Sequence, residues 1–296
     1  MHELKRPLSY EDQISRLQNE HNLIIGDKEN AIRILSHVNY YRLSGYGIGL
    51  KMKDDPERYR DGITIEHIYR LYEFDRLFRN LLFGAIERIE IQLRTQIAYQ
   101  LSLKYGAEGY LNPDNFDDKT KKDGESVHLF IIENFTKEAE RQRNTPFVKH
   151  HRNKYDGHFP LWVAVELLTF GNLSSMFSIM KTSDKKAIAD LYDTEPKYLG
   201  SWLLALVEVR NICAHYGRLY NMPLKQRPRL YSEHKDCQNG QQNKIFPLLI
   251  VMRRMLSNTA VWSQYSSYIE DLIERYADVV NLSFIGFPKD WKTIIN

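Results

Sequence analysis

The stretch TIEHIYRLYEFDRLFRNLLFGAIERIEIQLRTQIAYQLSLK, residues 64–104, decides the fold. Its apolar residues run from Ile65, Ile68 and Leu71 through Phe74, Phe78 and Leu82 to Ile86, Ile89, Leu93 and Ile97, recurring at intervals of three and four. That is the period of a helix with one buried face. There is no proline and the one glycine is Gly84, so the pattern predicts a long helix or two in succession.

Working outward, Ser9 with Asp12 opens a helix through about Asn19, and Asp27 with Asn30 opens a second that carries Ala31, Ile34 and Leu35. Between them and the long helix lies Asn39-Tyr-Tyr-Arg-Leu-Ser-Gly-Tyr-Gly47, which reads as a tight corner built around tyrosines, then a charged turn from Lys51 to Asp61. Downstream, residues 106–124 read as an exposed loop. Helical patterns follow at Val127 to Arg143, Pro160 to Thr169, Leu173 to Met180, Asp184 to Leu191 and Tyr198 to about Tyr216. The last two, Phe246 to Leu256 and Ser257 to Ala277, come after a polar linker from Leu224 to Asn243. With no internal repeat and no strand-like alternation, the predicted fold is all-α, a helical N-terminal segment over residues 1–62 followed by a helical domain over residues 63–296.

Composition excludes several classes. The 43% of hydrophobic residues and 27% of charged ones are ordinary for a globular protein. No apolar run approaches the roughly 18 residues that would cross a bilayer, and the N-terminus has basic residues without an apolar region behind them, so a cytoplasmic protein without membrane contact is expected. Cys213 and Cys237 cannot make a zinc site by themselves. The net charge of +3, from 41 basic and 38 acidic residues, is far from that of a protein that coats nucleic acid indiscriminately. No cofactor and no metal are expected.

Chemistry concentrates in YLGSWLLALVEVRNICAHYGRLYN, residues 198–221, where an almost unbroken apolar run ends in polar groups. On a continued helix Glu208, Asn211, His215 and Arg218 share a stripe, with Arg210 about 100° to the side. An imidazole can take the proton of a ribose 2′-hydroxyl, or give one to a leaving 5′-oxygen, near neutral pH. A guanidinium can hold phosphate oxygens as charge builds, and an amide can orient either. Arg210, Asn211 and His215 are therefore candidates for RNA cleavage without a metal, through a 2′,3′-cyclic phosphate. Glu208, Asn211, His215 and Arg218 would equally serve as an internal polar network tying this helix to a neighbour.

The string Arg-Asn-x-Cys-Ala-His-x-x-Arg-Leu-Tyr-Asn, residues 210–221, resembles the signature of the Abi-type abortive-infection proteins, the AbiD and AbiF group, of bacterial phage defence. Further blocks agree in order: Gln13 with Leu17, NYYRLSGY at 39–46, LYEFDRLFR at 71–79, AIERIEIQLRT at 85–95, and Pro160-Leu-Trp162 through Glu166 to Phe170-Gly171 and Leu173-Ser174. That family is similar to the HEPN superfamily of helical ribonucleases, whose motif of arginine, a polar residue and a histidine matches Arg210, Asn211 and His215. The resemblance implies a HEPN-like helical bundle, a homodimer whose two motifs face each other, metal-independent endoribonuclease activity, and a toxin held down by a small noncoding RNA. A noncatalytic RNA-binding or protein-interaction module of a defence system is the alternative, since HEPN domains also serve as scaffolds.

Other residues can support or extend such a site. Glu87, Glu90 and Arg94 share a face of the long helix, near Arg79, and read as ion pairs bracing the motif helix, with Glu208 in the same structural class. An arginine there could instead grip RNA. Tyr41 and Arg42 can stack a base and take a phosphate, or belong to an aromatic corner. Lys149, His150, His151, Arg152 and Lys154 form a basic cluster that either follows an RNA backbone or is a solvated loop. Arg218 adds a further cation for RNA.

Overall fold

The computed structural model describes residues 6–238, 243–257 and 261–296. The long apolar pattern forms one unbroken helix, and the rest of the chain is arranged around it. Before it come α1 (Tyr10–Asn19), α2 (Lys28–His37) and α3 (Tyr40–Ser44); the long helix is α4 (Ile65–Tyr105). Then follow α5 (Val127–Arg141), α6 (Pro146–Lys154), α7 (Leu161–Leu167), α8 (Phe170–Ile179), α9 (Thr182–Asp190) and the motif helix α10 (Pro196–Ala214). The chain ends with α11 (Phe246–Met255), α12 (Val261–Arg275) and α13 (Trp291–Ile295). Among the described residues there is no sheet, only isolated bridges such as Ile24 with Thr64 and Lys51 with Tyr59, so the protein is all-α.

The caps anticipated from sequence at Ser9 and Asp27 are made, Ser9 Oγ accepting from the Asp12 amide at 3.1 Å and Asp27 Oδ1 from the Asn30 amide at 3.0 Å, and the structure adds a third, Thr64 Oγ1 accepting from the His67 amide at 3.1 Å. Each satisfies one of the amides that a helix start leaves without a partner. At about 1.5 Å per residue, the 41 residues of α4 extend about 60 Å. Phe74, Phe78, Ile86, Ile89, Leu93 and Ile97 on it are fully buried. Burial of each such side chain contributes about 1.5–3 kcal/mol. Around α4 pack α7, α8, α9, α10, α11 and α12, with α2 and α3 on its N-terminal part. Gly84 marks a close approach, because a Cβ there would lie 3.0 Å from the Tyr265 hydroxyl of α12. Helix propensity is given up at that point for tight packing.

Three expectations are corrected. The tyrosine corner contains a short helix, α3, because Asn39 Oδ1 caps it by accepting from the Tyr41 amide at 2.8 Å. The basic stretch from Lys149 to Lys154 is no solvated loop but lies in α6, started by Pro146 at its first turn; only Val148 of that helix is buried, so its apolar signal is weak. The motif helix ends at Ala214, not Tyr216, and begins two residues earlier than expected. The final long helix is described from Val261; residues 258–260, within its expected start at Ser257, lie outside the described residues, as do 239–242 of the linker and 1–5 of the N-terminus. Among the described residues no helix is long and apolar enough to cross a membrane.

Candidate active site

Why α10 ends where it does governs the site. His215 is the C-cap, at φ −99° and ψ 16°, and its amide donates to the Asn211 carbonyl at 3.0 Å. Tyr216 then takes φ +57°, the left-handed conformation that terminates helices. The Gly217 amide returns to the Ile212 carbonyl at 2.7 Å, and the chain turns back toward α4. Asn211 and His215, four residues apart, are both exposed on one side of the helix end, with Leu204 and Glu208 preceding them on that stripe.

This turn removes Arg218 from the stripe predicted for it. Its guanidinium is half-buried over the Tyr46 ring at 5.8 Å, donates to the Gly45 carbonyl, and reaches the Met222 sulfur at 3.0 Å. Burial lowers its pKa from the ordinary arginine value. Arg42, expected to meet a phosphate, crosses from α3 and donates through Nη1 to the Tyr216 carbonyl at 2.6 Å. Two arginines thus clamp the loop that follows His215.

Beneath that loop lies a residue that sequence reading did not assign to the site. Asp75 of α4 is fully buried. Its Oδ1 accepts from the Tyr220 amide at 2.8 Å and the Leu219 amide at 3.2 Å; its Oδ2 accepts from the Tyr46 hydroxyl at 2.8 Å and from Arg79 Nε at 3.3 Å. Burial pushes the Asp75 carboxyl above the usual carboxylate range, and these four donors pull it back down. Burial, reinforced by Asp75, likewise raises the Tyr46 phenol. A signal was present in the sequence: Asp75 and Arg79 fall on the row of Ile68, Leu71, Phe78 and Leu82, where an isolated charge would be costly and a pair four apart is expected.

A second polar cluster sits higher on α4. Arg94 Nη2 donates to Glu90 Oε1 at 2.9 Å and its Nη1 to the Leu168 carbonyl at 2.9 Å. The other oxygen of Glu90 lies 3.4 Å from Arg210 Nε. Arg210 Nη1 is 3.5 Å from Asn211 Oδ1, and the guanidinium lies 6.0 Å from the centroid of the exposed Phe83 ring. Arg210 Nε is buried without a hydrogen bond of good geometry. Its polar contacts with Glu90 and Asn211 are both long. Glu87, grouped with this cluster from sequence, is exposed, and among the described residues no ion pair engages it.

Glu208 has another task. Its two oxygens accept from the Lys225 amide at 2.8 Å and the Gln226 amide at 2.6 Å, pinning the linker along α10. The Trp202 indole extends this by donating to the Arg229 carbonyl at 2.7 Å. In α6, Arg152 pairs with Glu140 at 2.7 Å, and His151 stacks on Phe159 at 5.3 Å with Nδ1 at 2.9 Å from the Phe147 carbonyl. His150 and Lys154 lie against Tyr155. The main neighbours of α10 are α4, α8, α9 and α11, so the basic cluster on α6, Lys149 included, is not built into the motif site. Burial pushes the Cys213 thiol, inside α10, up to about 12. Among the described residues, no group of three or more His, Cys, Asp or Glu side chains is placed to hold a metal ion.

Comparison with known proteins adds one finding. The family model described as Abi-like protein matches residues 33–221, which runs from α2 through the loop after His215. No curated protein and no solved structure matches the chain.

Proposed function

The chain belongs to the Abi-like protein family, which points to an abortive-infection role in phage defence, and from that premise we propose that it is a metal-independent endoribonuclease acting through Arg210, Asn211 and His215. The observation that carries the reading is the exposed end of α10, where His215 caps the helix one turn beyond Asn211, whose Oδ1 lies 3.5 Å from the Arg210 guanidinium. His215 takes the 2′-hydroxyl proton or protonates the leaving 5′-oxygen. Arg210, tethered to Glu90 at 3.4 Å, swings onto the phosphate as negative charge accumulates. Attack by the 2′-oxygen expels the 5′-oxygen and leaves a 2′,3′-cyclic phosphate and a 5′-hydroxyl, so RNA and not DNA is the substrate.

Two copies complete the site. Large apolar side chains stand exposed around the motif: Phe83 against Arg210, Leu204 on the stripe of Asn211 and His215, and Tyr216 next to His215. Leu204 is 52% and Tyr216 70% exposed, a surface that a second subunit would cover. In the cell, an activity of this kind is held down by a noncoding RNA partner and works in the cytoplasm.

His215→Ala and Arg210→Ala are expected to lower RNA cleavage by about 10²- to 10⁴-fold, the usual contribution of a positioned acid or base. Cleavage is followed by cyclic-phosphate ends, with and without EDTA, and folding by circular dichroism. A folded His215→Ala protein that cuts RNA at the parent rate would overturn the assignment. RNA binding without cyclic-phosphate ends in the parent would favour a noncatalytic module. Leu204→Glu should convert a dimer to a monomer in sedimentation and remove activity with it.

A further inference from the structure

On the side of the molecule where α1 meets α3, an open cleft of about 1300 Å³ runs past the end of α2. None of the residues proposed for catalysis lines it. Two tyrosines on its wall are exposed: Tyr41, with 89% of its surface accessible, and Tyr10, with 40%. Leaving an aromatic face in water forgoes its burial, and here two of them border one concavity. Arg6, Arg16 and Lys51 line the same cleft, against the carboxylates of Glu11 and Glu57. Arg16 is already paired with Glu20 at 2.9 Å, so the lining is close to neutral and the exposed aromatic faces, more than charge, select the ligand.

We propose that this cleft is a binding site for unpaired RNA, with bases stacked on Tyr41 and Tyr10 and the strand's backbone met by Arg6 and Lys51. The inference takes its class of polymer from the ribonuclease reading and adds a site that the reading does not use. Unpaired strands fit the chemistry, because a stacking face is open to a base only when the base is not enclosed in a duplex. A lining so near neutral predicts weak salt dependence, as few phosphates are neutralised.

The cleft also communicates with the motif. Tyr41 and the next residue, Arg42, sit on the five-residue helix α3, which Asn39 caps. Arg42 holds the Tyr216 carbonyl at 2.6 Å, directly after His215. One short helix therefore carries a stacking face at Tyr41 and, at the next residue, a clamp on the His215 loop, so a strand seated on Tyr41 bears on the position of His215.

The test measures binding of a short, labelled, unstructured oligoadenylate by fluorescence anisotropy, in full-length His215→Ala protein so that the probe is not consumed. Tyr41→Ala and Tyr10→Ala should each weaken binding by about five- to tenfold, within the usual effect of losing one stacked base. Tyr41→Trp should bind at least as tightly as the parent, and a blunt RNA duplex should compete poorly. Binding unchanged in the Tyr10→Ala, Tyr41→Ala double variant, or no binding by the parent, overturns the proposal, as does Tyr41→Trp behaving like Tyr41→Ala. If RNA is cut normally but cleft variants bind like the parent, the cleft assignment alone falls. If the cleft binds RNA and no cyclic-phosphate ends are released by the wild-type protein, the ribonuclease reading alone falls.

Discussion

Two carboxylates on α4, fifteen residues apart by their numbers Asp75 and Glu90, both hold the motif, but by opposite means. Asp75 is sealed from solvent and accepts from two backbone amides, a phenol and a guanidinium, so the loop from Leu219 to Tyr220 has one position. Glu90 is partly accessible and divides its oxygens between Arg94, at 2.9 Å, and Arg210, at 3.4 Å. A buried acceptor stripped of its donors has no water to replace them, whereas a partly solvated one does. The lower cluster therefore fixes the backbone that carries His215, and the upper one leaves Arg210 with a long contact to Glu90, as its proposed swing onto a phosphate requires.

That contrast can be broken in stages. Asp75→Ala should have the largest effect, about 3–5 kcal/mol of lost stability, because Arg79 is left charged and buried; chemical denaturation measures it, and a loss under 1 kcal/mol would mean that the buried cluster fixes little. Next comes pH. Burial holds Cys213 at about 12, against an ordinary value of 9.0, and Tyr192 at about 12, against 10.0. Tyr46, Tyr59 and Tyr110 are raised by burial as well. These folded-state values lie above the unfolded ones, so their stabilisation is complete below about pH 9 and is lost as pH rises from there toward 12. Stability should fall by up to ~1.4 kcal/mol per pH unit for each titrating group, and a urea midpoint that stays flat to alkaline pH would refute this.

Smaller changes sharpen the comparison further. Tyr46→Phe removes one of the four donors to Asp75 and should cost about 1 kcal/mol, with cleavage reduced in proportion to the unfolded fraction only. Glu90→Gln should cost about 1 kcal/mol, since the glutamine amide keeps an oxygen that can accept from Arg94. Its signature is kinetic: Arg210 loses its tether, so kcat for RNA cleavage should fall while thermal stability hardly moves. If Glu90→Gln proved as destabilising as Asp75→Ala, the two clusters would be equivalent.

Much of this architecture is readable in the chain. The caps at Ser9, Asp27 and Thr64 and the three-and-four spacing of α4 are local facts, which is why the helices between them follow from side-chain type alone. α6 was not readable, because a helix with one buried residue has almost no periodic signal. Arg218 was misplaced for a different reason. Extending a helix by arithmetic assumes that it continues, and Tyr216 enters the left-handed region although no glycine stands at that position.

What the sequence by itself determined is therefore the helical class, the long axis at residues 64–104 and the grouping of Arg210, Asn211 and His215 within six positions, since spacing along one helix dictates which side chains are neighbours. Only the tertiary structure decided what surrounds those residues. Asp75 meets the Tyr220 amide across 145 positions of chain and Arg42 meets the Tyr216 carbonyl across 174. Such contacts arise when packing brings distant donors and acceptors into a shared, water-poor space, where each must find a partner, and no local pattern encodes which partner that is.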